Sequence, residues 1–132
     1  MPSERPAQRI QDVLKNIASI EAYTRDLGPE SFAENRMAVD AVERCLERIA
    51  EAARKLGPRF DADVAAEVDL PALRRFGSVL RHDYEVLDSR IIWNAVANKI
   101  PPLKAAFKEL AEKHPPPIKE TDQGFDPFKP SD

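Results

Sequence analysis

Val42-Glu43-Arg44-Cys45-Leu46-Glu47-Arg48-Ile49-Ala50-Glu51-Ala52-Ala53-Arg54-Lys55-Leu56 decides the fold class. Val42, Cys45, Leu46, Ile49, Ala52, Ala53 and Leu56 recur at steps of three or four. Glu43, Arg44, Glu47, Arg48, Glu51 and Arg54 take the other faces. This is the period of an amphipathic α-helix, not the alternation of a strand. Gly57-Pro58 stops it, because proline cannot continue a helix and glycine tolerates the turn. Cys45 falls on the apolar stripe and reads as a small core residue rather than a nucleophile.

Similar patterns lie on both sides. Upstream, Ile10, Val13, Leu14, Ile17, Ile20 and Leu27 predict a helix over residues 7–27, with Gly28 as a left-handed cap before Pro29. Residues 31–35 suit a short helical turn. Downstream, Asp61, Asp63, Glu67 and Asp69 form an acidic connection. It lacks the glycine turn and ordered alternation of a calcium loop, so it reads as a solvated loop ending in a cap. Asp69 before Leu70-Pro71 is an N-cap with proline in the first turn, opening a helix over residues 70–82. Asp88 caps a further helix over residues 89–98. Pro101-Pro102 then interrupts or kinks the run, and Leu103, Phe107, Leu110 and Ala111 carry it on to His114. Trp93 reads as interhelical packing, and His114 as a last-turn residue suited to the helix dipole.

The chain has 132 residues, 42% apolar and 33% charged, with only 4 glycines, which suits one helical domain and excludes collagen-like, disulfide-scaffold and membrane-spanning classes. The expected architecture is all-α: an antiparallel helical bundle over residues 1–114 with a proline-rich, extended or disordered tail over residues 115–132. The tail carries Lys119 and Lys129 against Glu120, Asp122, Asp126 and Asp132, which leaves the body nearly neutral within a net charge of −3. Any RNA contact must therefore come from a local basic cluster. Phe125 and Phe128 could dock the tail on a partner or on the body. One cysteine, a polar start without an apolar leader segment, and no long apolar run point to a cytoplasmic location.

The chemistry concentrates in Arg74-Arg75-Phe76-Gly77-Ser78-Val79-Leu80-Arg81-His82-Asp83-Tyr84. On a helix with Arg75 at zero, Leu73, Phe76, Gly77 and Leu80 fall between about 100° and 200°, the buried face. Ser78 falls near about −60° and His82 near about −20°. Arg75, Ser78 and His82 thus share a stripe away from the core, with Arg75 and His82 about 10 Å apart along the axis. A histidine can take a proton from a ribose 2′-hydroxyl or give one to a leaving oxygen. An arginine fork can hold the phosphate and stabilise its growing charge. Arg74 is the other candidate for that arginine, pointing about 100° away. A plain surface or subunit-contact histidine fits the spacing as well.

These residues resemble the HepT family of the HEPN superfamily. Its signature is an arginine, four to six residues, then a histidine, as in Arg75 and His82. The wider context matches too: His82-Asp83-Tyr84, Leu87-Asp88, Ile92-Trp93-Asn94 and Ile100-Pro101-Pro102-Leu103. Residues 9–17 and 40–53 look like the family's first two helices. Two positions depart from the family's pattern: Phe76 stands where a polar residue commonly follows the arginine, and Ser78 stands after Gly77 where Asn is common. The resemblance implies a homodimeric helical bundle that acts as the toxin of a toxin–antitoxin pair. It would be a metal-independent endoribonuclease, needing no cofactor, with tRNA among its targets. Catalysis would rest on Arg75 and His82 at the dimer contact, with Arg74, Ser78 and Arg81 supporting RNA binding. The antitoxin, a minimal nucleotidyltransferase, would adenylylate Tyr84 and block the site. In a continuous helix Tyr84 would face the core, so modification requires the helix to end or turn near residues 82–84.

A second reading comes from another class: a catalytically inactive interaction module that only binds, and is modified by, the nucleotidyltransferase. A third, a plain structural bundle, is all that composition and periodicity demand.

Overall fold

Apolar residues at three- and four-residue spacing need a shared core, and the described helices supply one. The computed structural model describes residues 5–82, 88–116 and 128. Six α-helices form among the described residues: α1 (Pro6–Thr24), α2 (Pro29–Glu34), α3 (Arg36–Leu56), α4 (Leu70–His82), α5 (Ser89–Asn94) and α6 (Ile100–Lys113). A 3₁₀ turn (Pro58–Asp63) follows α3, a turn of π-helix (Ala95–Lys99) joins α5 to α6, and no strand occurs among the described residues. The all-α bundle read from the sequence is the fold.

α3 is the spine. It packs against α1 on one side and α4 on the other, and α1 in turn packs against α6. Val42, Leu46, Ile49 and Leu56 of α3 meet Ile10, Val13, Ile17 and Ile20 of α1 and Leu103, Phe107 and Leu110 of α6 in one core. Each such side chain contributes about 1.5–3 kcal/mol on full burial, so the stripe at residues 42–56 anchors the bundle. Cys45 is buried there, as expected, and its burial pushes the thiol pKa up, away from reactivity. Trp93 stacks at a tilt on Phe32, with ring centroids 5.3 Å apart, and His114 meets the edge of Phe60 at 5.1 Å. Both are packing residues.

Two helix ends differ from expectation. α1 stops at Thr24, whose hydroxyl donates to the Ile20 carbonyl at 2.8 Å, rather than running to Leu27. Gly28 is not its left-handed cap. With φ −109° it is the extended N-cap of α2, and its N–H donates to Ser31 Oγ at 2.8 Å. The left-handed glycine is Gly57, with φ 83°, at the end of α3. α3 also starts earlier than its apolar stripe, at Arg36, because Asn35 Oδ1 accepts the Ala38 N–H at 3.0 Å.

The proline pair does not break the last helical run. Pro101 lacks an N–H and would press on a preceding carbonyl. The chain answers with the π-turn, in which the Ile100 N–H reaches back five residues to the Ala95 carbonyl. Pro101 then sits in the first turn of α6, the part of a helix that tolerates proline best. No described helix is long and apolar enough to cross a membrane. The expectation of an extended tail rests largely on residues 117–127 and 129–132, which lie outside the described set.

Candidate functional site

α4 has the bounds expected from the sequence, Leu70–His82, and Asp69 Oδ1 caps it by accepting the Ala72 N–H at 2.9 Å. Leu70, Gly77 and Leu80 are buried. Gly77 marks the closest approach to α3, where the Ala50 methyl fills the space that any Cβ at Gly77 would need. With Arg74 reaching Ala53 and Gly77 crossing Ala50, α4 runs antiparallel to α3.

The two adjacent arginines have different surroundings. Arg74 Nε donates to the Ala53 carbonyl at 3.0 Å. Its terminal nitrogens donate to the Gly57 carbonyl at 3.1 Å and to both Asp61 oxygens at 3.0 and 2.8 Å. The fork thus ties α4 to the end of α3 and to the 3₁₀ turn, with little exposure. It offers no free face to a ligand. The same contact accounts for one member of the acidic connection, Asp61, while Asp63 and Glu67 are exposed; no group of side chains among the described residues could hold a metal ion.

Arg75, one position on, is exposed, as are Ser78 and His82. No side chain of the three hydrogen-bonds to a described residue. The structure therefore places these three on one open edge of α4, with Arg74 on the other side, against α3. Arg81 shares that other side. Its guanidinium donates to Glu51 Oε2 at 3.2 Å, and Glu51 is also gripped by Arg54 at 2.6 and 3.0 Å. Hydrogen bonds from Arg54 first, and from Arg81 as well, hold the Glu51 carboxyl below its ordinary pKa. Tyr84 lies outside the described residues, as do all of residues 83–87.

The other flank of the open edge is apolar. Val79 and Ile91 are 38% and 48% exposed. Phe76 and Leu73 line a cavity of about 390 Å³ that α4 shares with α5 and the π-turn. An edge bearing a cationic fork, a hydroxyl and an imidazole can bind an anion and move a proton beside it. A single edge presents these groups over about two helical turns, so one copy brings few of them to one phosphate.

Comparison with known proteins matches residues 13–110 to the family described as "Ribonuclease HepT-like". A Thermococcus cleftensis protein named "Probable ribonuclease HepT" is 32% identical over 76% of this chain and 91% of its own. A Methanocaldococcus jannaschii protein named "Putative RNase MJ0125" is 30% identical over 86% of this chain and 100% of its own. A Caldanaerobacter subterraneus protein named "Putative RNase TTE0752" is 25% identical over 82% of this chain and 96% of its own. No solved structure matches significantly.

Proposed function

Because the chain belongs to the ribonuclease HepT-like family, we propose that it is a metal-independent endoribonuclease, the toxin of a toxin–antitoxin pair, working as a homodimer with Arg75 and His82 at the subunit contact. The observation that carries this reading is the open edge of α4. The Arg75, Ser78 and His82 side chains stand in solvent without partners among the described residues, while the neighbouring Arg74 makes four hydrogen bonds.

His82 accepts the proton of a ribose 2′-hydroxyl. The freed oxygen attacks the adjacent phosphorus, the bond to the 5′-oxygen breaks, and an imidazolium returns a proton to that leaving oxygen. A cyclic phosphate and a 5′-hydroxyl result. The nucleophile is the substrate's own hydroxyl, so no cofactor is needed to generate one. Arg75 holds the phosphate oxygens and offsets the charge that grows on them. Ser78 adds a hydroxyl donor, and Arg81 adds positive charge nearby. The dimer supplies what one edge lacks. Phe76, Val79 and Ile91 give a second copy apolar surface to cover beside the Arg75–His82 edge, and two edges meeting there double the cationic charge. A nucleotidyltransferase antitoxin adenylylating Tyr84, two residues beyond His82, would add bulk and negative charge beside that cleft and silence it.

The test is cleavage of total tRNA in EDTA by the purified protein, with His82→Ala beside it. Wild type consumes full-length tRNA, and the variant, with an unchanged helical circular dichroism signal, does not. An equal blank from both proteins would replace this reading with the interaction module, and equal cleavage by both would show that the site lies elsewhere.

A further inference from the structure

The surface of α3 that faces away from the core carries a pattern that the active edge does not use. Arg44, Arg48 and Lys55 fall within about 40° of one another on the helical wheel and span about 16 Å of α3. Small side chains lie just beside this stripe, and Ala52 forms part of a groove floor. α1 contributes Arg9, Asp12 and Asn16 to the same groove, and Arg81 enters it from α4. The groove has a volume of about 350 Å³.

Its charge runs against that of the whole chain. Arg9, Arg44, Arg48, Lys55 and Arg81 line it, against Asp12, Glu47 and Glu51. The carboxylates are each already answered: Asp12 by Arg9 at 3.2 Å, Glu47 by Arg44 at 3.4 Å, and Glu51 by Arg54 and Arg81. The Arg48 and Lys55 side chains are exposed and make no hydrogen bond or close ion pair with a described residue, although the Lys55 charge is felt by Glu51. A chain of net charge −3 thus has a cationic surplus in this one groove.

The groove also leads somewhere. Arg81 sits at its α4 wall, and on the α4 wheel Ser78 lies between Arg81 and the Arg75–His82 stripe. A strand whose scissile phosphate lay at Arg75 and His82 could pass Ser78 and Arg81 and continue along Arg48 and Lys55.

We propose that this groove between α1, α3 and α4 binds the sugar–phosphate backbone of a single-stranded RNA flanking the cleavage point. The inference rests on the ribonuclease reading above for the direction of the strand, and on the groove's own charges for its affinity. A positively charged groove that tracks a backbone binds without reading sequence. The groove lacks exposed aromatic side chains for stacking, so its contribution is electrostatic and falls with salt.

The experiment uses the full chain carrying His82→Ala, so that the probe survives, and a labelled single-stranded oligoribonucleotide titrated over a series of salt concentrations. Arg44→Ala/Arg48→Ala/Lys55→Ala is compared with Arg36→Ala/Lys108→Ala/Lys113→Ala, which removes the same charge from exposed positions elsewhere. The groove variant loses about tenfold or more in affinity at low salt, and its logarithmic salt slope becomes shallower by about two, close to 0.7 for each lost contact. The control keeps most of both. In a chain with His82 intact, the groove changes shrink the advantage of a long strand over a dinucleotide as substrate.

Equal losses from groove and control variants would reduce the effect to bulk charge and overturn the proposal. So would an unchanged slope, or RNA binding retained while capture of a co-expressed acidic protein is lost, which would assign the groove to a protein partner. The two readings separate cleanly. Groove-dependent binding by a wild-type chain that cleaves nothing upholds the groove and removes the nuclease. Cleavage by wild type with a groove-independent slope does the reverse.

Discussion

The two long edges of α4 carry the same kinds of residue and do opposite work. Toward α3, Arg74 makes four hydrogen bonds, Gly77 touches Ala50, and Arg81 pairs with Glu51. Away from it, the side chains of Arg75, Ser78 and His82 make none with described residues. The difference comes from about 100° of helix rotation, not from residue type. A guanidinium that closes its fork on a carboxylate and two carbonyls fixes one helix against another. A guanidinium left in solvent can take a phosphate only because its neighbour has already fixed the helix. Rigid support on one side and unused donors on the other are what a positioned anion site requires.

Exchanging the two arginines for alanine breaks this comparison most sharply. Arg75→Ala should lower tRNA cleavage by about 10²–10³-fold, the usual cost of losing a donor to a developing oxyanion, with no change in urea midpoint. Arg74→Ala should do the opposite in kind. It strands Asp61 and the Gly57 carbonyl, and leaves the Ala53 carbonyl with the Gly57 N–H alone, so unfolding free energy should fall by roughly 2–3 kcal/mol. Whatever activity is lost should follow the folded fraction. Arg74→Lys should not rescue it, since an ammonium cannot reproduce a fork bound at several oxygens. Urea titration beside a cleavage assay reads both halves. Loss of stability from Arg75→Ala, or of activity alone from Arg74→Ala, would reverse the assignment.

Gly77 tests how closely the bonded edge must sit. Alanine there favours the helix by about 1 kcal/mol, but its methyl would occupy the place of the Ala50 methyl. Forcing the helices apart in a packed contact costs about 1–3 kcal/mol, so Gly77→Ala should destabilise by up to about 2 kcal/mol net. Ala50→Gly in the same chain should return part of that loss if the methyl contact is the cause. Equilibrium unfolding of the single and double variants measures the coupling.

Much of this contrast is legible in the sequence. The α4 bounds follow from Asp69, Pro71 and the apolar positions, and the open stripe follows from wheel arithmetic on Arg75, Ser78 and His82. What the wheel could not supply is the partner of Arg74. Asp61 lies thirteen residues upstream in a 3₁₀ turn, and only the crossing of α3 and α4 brings it there. The groove cations were equally visible and equally unassigned. In the sequence Arg44 and Arg48 are only residues off the apolar stripe; Arg9 and Arg81 join them from other helices in the fold. Helix ends failed for local reasons. Gly28 could end α1 or begin α2, and the Ser31 hydroxyl decided for α2. The π-turn before Pro101 depends on one extra residue being absorbed without moving Ile92 or Ile100 from the core.

Glu51 gives the smallest and most conditional effect, because its contacts are the most exposed part of the bonded edge. Its carboxyl is held below the ordinary glutamate range by hydrogen bonds from Arg54 and then Arg81, so the ionised form is favoured in the folded state. The resulting stabilisation is present above the unfolded glutamate pKa and is lost as pH falls through the lower, folded value. The partners' side chains are 62% and 42% exposed, so solvent and salt screen the gain to roughly 0.5 kcal/mol. Glu51→Gln should therefore cost about that much at neutral pH and low salt. The cost should shrink at high salt, and it should vanish at a pH where the wild-type carboxyl is itself protonated. Arg81 released from Glu51 would be freer to meet RNA, so the same variant should bind a single strand no more weakly than wild type while being slightly less stable. A matched loss of binding would show that the bonded edge positions Arg81 for the ligand rather than merely holding α4 to α3.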